Sequence, residues 1–127
     1  MQFRLGMVTV PVGDVDRARS FYVDSLGFGL EQDVQVDAAH RFVEVVPTGS
    51  TCTIALTTGY VDSPPGSLRG GQFNVDDAQA ARAFLRSRGV HVSEVQDYPW
   101  GRFVFFCDPD GNEWSVHEVR SEGQDGP

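Results

Sequence analysis

The stretch Arg102–Val119, RFVFFCDPDGNEWSVHEV, decides how the rest of the chain is read. Phe103, Val104, Phe105 and Phe106 are strand formers, and Trp114, Val116 and Val119 resume an apolar pattern after a break. The break, Asp108-Pro109-Asp110-Gly111, is turn chemistry: proline presets φ, aspartate bonds nearby backbone, and glycine accepts φ > 0. The stretch is therefore a hairpin that must bury one face against something.

Working backwards, that something is a helix. Asp76 or Asp77 caps a helix with Ala78, Ala81, Phe84 and Leu85 on one face, ended by Gly89. Strands are expected at Ser67–Val75 and Val90–Tyr98. The same order occurs earlier in the chain. Leu5–Val12 alternates as a strand, Asp14 caps a helix carrying Val15, Ala18, Phe21, Tyr22 and Leu26, and Gly27 stops it. Strands Phe28–Val36, His40–Pro47 and Thr51–Thr58 follow. Val12, Asp14, Ala18, Arg19 and Phe21 map onto Val75, Asp77, Ala81, Arg82 and Phe84 at one constant interval. The fold class is thus α+β: two tandem βαβββ units, at about 5–58 and 67–119, joined by a Gly/Pro-rich linker at 59–66. Such units are expected to pair across a pseudo-two-fold into a half-open, barrel-like cleft within one domain, residues 1–120. Residues 121–127 read as a flexible tail.

At 127 residues the chain is long enough to bury roughly two thirds of its unfolded surface. A net charge of −8 with no basic cluster argues against nucleic acid or an anionic membrane as partner. It is compatible with a cationic ligand. Cys52 and Cys107 lack CxxC spacing and read as small buried residues of a reducing cytoplasm. Residues 1–12 show no signal-peptide or membrane-span pattern, so a cytoplasmic location is expected.

The pattern V-x-D-x-x-R-A-x-x-F-Y from Val12, followed by Leu26-Gly27-Phe28, and F-F-x-D-P-D-G-N-x-W from Phe105 resemble the vicinal oxygen chelate superfamily. This is the glyoxalase, bleomycin-resistance and extradiol-dioxygenase group, and the resemblance spans about residues 5–119. It implies the paired βαβββ fold. In metal-using members, four His, Glu or Gln ligands come from the first and last strands of each half. Those positions fall here on Met7, Ala55, Gly70 and Ser115. Alanine and glycine offer no donor, methionine is a soft thioether and serine is weak unless ionised. The resemblance therefore implies a member with no metal and no other cofactor. It also implies a homodimer, since metal-free relatives sequester antibiotics such as bleomycin in clefts shared by two subunits.

Strand parity identifies the candidate site residues. Val8, Val10 and Val12 oppose Met7 and Thr9; Cys52, Ile54 and Leu56 oppose Thr53, Ala55 and Thr57. Phe73 and Val75 oppose Gln72 and Asn74; Trp114 and Val116 oppose Glu113, Ser115 and His117. The apolar set should pack on the helices. The small polar set either meets water or lines the cleft. His117 reads as a general base, a hydrogen-bond donor to ligand, or a structural histidine. Glu113 is placed to pair with it or to bind a cation, and either Glu44 or Arg41, which have opposite parity, enters the cleft. His40 and His91 read as surface residues. Tyr98, Trp100 and Phe103 form an aromatic group that suits a flat or hydrophobic ligand, a plug for the barrel end, or a dimer contact.

Three functional readings follow. The first is metal-independent binding of a small organic molecule, cationic or aromatic, with antibiotic or metabolite sequestration as its purpose. Its ligand-binding residues are Met7, Thr9, Glu44, Thr53, Ala55, Thr57, Gln72, Asn74, Trp100, Phe103, Ser115 and His117. The second is a metal-free isomerase, cyclase or hydrolase of secondary metabolism, with His117 and a carboxylate, Glu113 or Glu44, as catalytic pair. The third, a metal-dependent glyoxalase-like lyase or dioxygenase, needs ligands on the wrong strand face.

Overall fold

The structure, a computed structural model, describes residues 1–58 and 60–119. The strands form two four-stranded mixed sheets, each within its own compact unit. In the first unit β1 (Met7–Pro11), β2 (Gly29–Gln35), β3 (Arg41–Val46) and β4 (Thr53–Thr58) lie in the order β1-β4-β3-β2. β1 runs parallel to β4, and the other pairs are antiparallel. The second unit repeats the plan with β5 (Gly71–Val75), β6 (Gln96–Tyr98), β7 (Gly101–Cys107) and β8 (Glu113–Glu118), ordered β5-β8-β7-β6, with β5 parallel to β8. Helix α1 (Val15–Arg19) packs on β3 and β4, and helix α2 (Ala78–Ser87) on β7 and β8. Asp14 and Asp77 cap them, each accepting a backbone N–H three residues on. The expected α+β class and the βαβββ repeat are both present.

Apolar burial follows the parity of the strands. Val10, Val43, Val45, Ile54 and Leu56 form the core of the first unit with Val15, Ala18 and Tyr22. Val104, Phe106, Trp114 and Val116 form that of the second with Ala78 and Leu85.

Several elements differ from expectation. The first helix does not run on as α from Val15 to Leu26; after Arg19 it widens into a π-helical turn, Ser20–Ser25. The wider turn sends Tyr22 fully inward, where its hydroxyl donates to Asp108 Oδ2 at 2.8 Å. The expected strand Val90–Tyr98 is reduced to Gln96–Tyr98 and an isolated bridge between Val92 and Phe106. The reason lies at Ser93: its carbonyl accepts Arg82 Nε at 3.0 Å and its hydroxyl accepts the Phe105 N–H at 2.9 Å, so side chains take up pairing groups. The strand expected at Ser67–Val75 begins only at Gly71, since the Leu68 N–H is engaged by the Asn112 side chain. Leu5 and Gly6 likewise fall outside β1. Cys107 is exposed rather than buried, Cys52 is half-buried, and both are free. The tail expected at 121–127 lies outside the described residues.

The unit boundary also departs from the sequence repeat. Among the described residues, the first unit comprises Met1–Leu68 and the turn Asp108–Asn112, while the second comprises Arg69–Cys107 and Glu113–Val119. The turn is held in the first unit by side chains. Gly13 N–H donates to Asp110 Oδ1 and Arg17 Nη2 to the Pro109 carbonyl, both at 3.1 Å. Asn112, with no exposed surface, donates from Nδ2 to the Pro11 carbonyl and accepts the Leu68 N–H, both at 2.9 Å.

On the helix side of the first sheet Arg41 binds Asp33 through Nε and Nη2, at 3.0 and 2.9 Å, and Asp16 at 2.6 Å; Arg19 also pairs with Asp33. Hydrogen bonding from Arg41 chiefly, opposed by partial burial and aided by the Arg19 charge, holds the Asp33 carboxyl below its ordinary 3.8. A lowered folded-state pKa stabilises fully above the unfolded value and is lost as pH falls through the lowered one. The melting-temperature advantage of wild type over Asp33→Asn is therefore expected to be constant above about pH 5 and to shrink progressively below pH 4. An advantage that grows on acidification would contradict this.

Candidate functional site

Each unit carries a hollow on its own sheet. In the first unit, cross-strand register places Met7 and Thr9 of β1 beside Thr53 and Ala55 of β4, with Ala55 opposite Glu44 of β3, and Glu44 opposite Gln32 of β2. All share the face away from α1. Met7, Thr9 and Thr57 line a hollow of about 460 Å³ with Gln32, Val34, Val36, Phe42, Tyr60 and Val61. Thr57 is nearly buried and donates its hydroxyl to the Arg41 carbonyl at 2.7 Å. Ala55 has no exposed surface, so it forms floor rather than contact surface. Of the pair Glu44 and Arg41, it is Glu44 that lies on this face. It accepts Gln32 Nε2 at 2.8 Å and Thr53 Oγ1 at 2.6 Å. His40 is half-buried rather than simply a surface residue: Nδ1 lies 2.8 Å from Asp37 Oδ1, and its ring is 5.0 Å from that of Tyr60.

In the second unit the face away from α2 carries Gln72 and Asn74 of β5, Glu113, Ser115 and His117 of β8, and Phe103 and Phe105 of β7. A second hollow of about 500 Å³ is lined by Tyr98, Pro99, Trp100, Gly101 and His117, with Asp97 and Arg102 at its charged side. Tyr98 and Trp100 stack at 5.0 Å and 9° between planes, and Phe103 stacks on His117 at 4.6 Å and 17°. Phe103 is itself buried, so it supports the imidazole from beneath. Gln72 donates to Asn74 at 3.1 Å and Ser115 to the Gly71 carbonyl at 3.3 Å.

The expected acid–base pair of His117 and Glu113 does not form. Four residues along a strand span about 13 Å, and Glu113 is instead 3.2 Å from Arg69. The four positions aligned with a metal site do not supply a donor set. Gly70 lies outside β5 and has no side chain, Ala55 presents only a buried methyl, and Ser115 faces Gln72 across the strands. Among the described residues no three His, Cys, Asp or Glu side chains converge on one point. The side chains at the four aligned positions do not fit a divalent ion.

Sequence reasoning missed Gln32, Val34, Phe42, Tyr60 and Gly101. Phe42 shares parity with Glu44 and was within reach of that argument; Tyr60 sits in the linker, where no periodicity exists. Gly101 has φ +153°, and a Cβ there would lie 2.5 Å from His117 Nε2. The missing side chain is the space into which the imidazole fits. Gly101→Ala is expected to push His117 off Phe103, moving its imidazole ¹H–¹⁵N signals and costing about 1–3 kcal/mol through backbone strain and displacement. Unchanged His117 signals in the variant would show that the ring has other room.

Comparison with known proteins identifies the class. Residues 4–116 match the Glyoxalase/Bleomycin resistance protein/Dioxygenase superfamily, and the chain belongs to it. The solved structure of TnmS3, an antibiotic binding protein from Streptomyces sp. CB03234, is similar at 38% identity and TM-score 0.83, covering 91% of this chain and 95% of that one. Two curated bacterial relatives are also similar. The uncharacterized protein YaeR of Escherichia coli (strain K12) is 31% identical over 87% of this chain and 92% of its own length. The uncharacterized protein YetH of Bacillus subtilis (strain 168) is 27% identical over 91% and 98%.

Proposed function

We propose that this protein binds and sequesters a small organic molecule, an antibiotic or metabolite, without a metal and without altering it, as a cytoplasmic homodimer. The observation that carries the reading is Trp100. Its relative exposure is 70%, yet it is held in a stack on Tyr98 at the lip of a hollow containing His117. A tryptophan left in water at that cost, with a rigid aromatic neighbour, is a platform for a flat ligand. Similarity to an antibiotic binding protein supports the same class of function. Among the described residues no partner hydrogen-bonds either nitrogen of His117, which leaves the imidazole available to a ligand. An enzyme would need a group to orient that imidazole, and Glu113 is committed to Arg69. The exposed apolar side chains of edge strand β1, Met7 and Val8, support association of two copies.

Trp100 and the buried Trp114 are the two tryptophans, so quenching reports on the platform. Titration with a panel of aromatic antibiotics should find a compound that quenches the exposed component. Trp100→Leu should weaken its binding by about tenfold or more, and mass spectrometry should recover it unchanged after long incubation. A chemically altered compound would overturn sequestration in favour of catalysis. Sedimentation of the apo protein as a monomer at tens of micromolar would overturn the dimer.

A further inference from the structure

We infer that Glu44 makes the hollow of the first sheet selective for ligands carrying a positively charged nitrogen, an amine or guanidine on an apolar body. The inference rests on the small-molecule-binding reading above. Glu44 is half-buried in mid-strand, and its two carboxylate oxygens each accept one hydrogen bond, from Gln32 and Thr53. Both donors are neutral. They fix the carboxylate in place and leave its charge uncompensated, with a lone pair free on each oxygen. Among the described residues no basic side chain lies within 4.0 Å of it, the limit for an ion pair. The cation nearest in sequence, Arg41, is three residues away on the opposite face, where Asp33 and Asp16 engage it.

The surroundings raise the value of that charge. The hollow beside it is walled by Met7, Val34, Val36, Phe42, Tyr60 and Val61, and Gln32 both lines it and touches Glu44. Attraction between opposite charges grows as such walls displace water. Phe42 precedes Glu44 by two positions on the same strand face, roughly 7 Å away. Its ring meets that of Tyr60 edge to face at 6.3 Å, and both rings line the hollow, so its wall offers aromatic surface to a cationic ligand. A half-buried carboxylate without a counter-ion costs stability unless a partner completes it, and a ligand cation is the partner this geometry accepts.

The test uses two flat tricyclic probes, proflavine, a cation at pH 7, and uncharged 9-anthracenemethanol, by calorimetry on wild type, Glu44→Gln and Glu44→Asp. Wild type should prefer proflavine by about tenfold, with the preference falling as salt rises. Glu44→Gln keeps the shape and should lose the preference without changing affinity for the uncharged probe; Glu44→Asp should retain part of it. An equal preference in wild type and Glu44→Gln, or none in wild type, overturns the role of Glu44 while leaving small-molecule binding intact. Failure of wild type to bind either probe overturns both.

Discussion

Asn112→Ala is expected to lower the free energy of unfolding by about 3–5 kcal/mol, measured by urea denaturation. The side chain has no exposure and three partners. Its Nδ2 donates to the Pro11 carbonyl at 2.9 Å and to Asp108 Oδ2 at 2.8 Å, and its Oδ1 accepts the Leu68 N–H at 2.9 Å. Truncation leaves groups in the interior unpaired, each costing about 1–3 kcal/mol, plus a cavity where the amide stood. Asp108 suffers most, because its carboxylate is buried and relies on donors alone: Tyr22 Oη, Asn112 Nδ2, and the backbone N–H groups of Asp110 and Asn112. Asn112→Asp is expected to be at least as damaging, since it replaces the Nδ2 donor with a second carboxylate beside Asp108. A loss below 1 kcal/mol for the alanine variant would show that the turn is not what holds β1 and the linker to it.

Gly66→Ala is expected to be comparably severe, with a melting temperature lowered by 10 °C or more. Gly66 has φ +81°, and a Cβ would lie 2.0 Å from the Asp110 carbonyl oxygen, a backbone atom that no rotamer change can move. The Gly66 N–H donates to the Pro11 carbonyl at 3.0 Å, so the linker cannot retreat without losing that bond. Steric overlap and left-handed strain thus act together. Gly49→Ala provides the control: it also has positive φ, but nothing lies within 4 Å of its added Cβ, so strain acts alone and the loss should be near 1 kcal/mol. Equal losses in the two variants would mean that close approach of linker and turn contributes nothing.

At these two positions the deciding contacts are distant in sequence. The Asp108–Gly111 turn was recognised by its own residues, since proline, aspartate and glycine act locally. What Asn112 and Asp110 bind was not recognisable, because Pro11, Gly13 and Leu68 lie far away in the chain. The repeat of Val12–Phe21 in Val75–Phe84 located both helices and both capping aspartates, yet it gave no sign of the π-helical turn at Ser20–Ser25, which answers to the distant Asp108.

For the candidate site the division is similar. Strand alternation placed Met7, Thr9, Glu44, Thr53 and Thr57 on one face and Gln72, Asn74, Ser115 and His117 on another, because a period of two is a property of extended backbone itself. Alternation also put Glu113 on the face of His117, but face is not distance, and the two cannot meet along one strand.

The α+β repeat, the helix caps, the turn residues and the side of each sheet on which polar groups stand are legible in the residues alone. All follow from backbone periodicity and from preferences that each residue carries alone. Packing in three dimensions places the turn Asp108–Asn112 with the first unit, lets His117 fill the space that Gly101 vacates, and sets Glu44 against Gln32 and Thr53 and, among the described residues, against no cation. Those facts depend on strand order, register and the approach of segments distant in sequence, which local propensity does not encode.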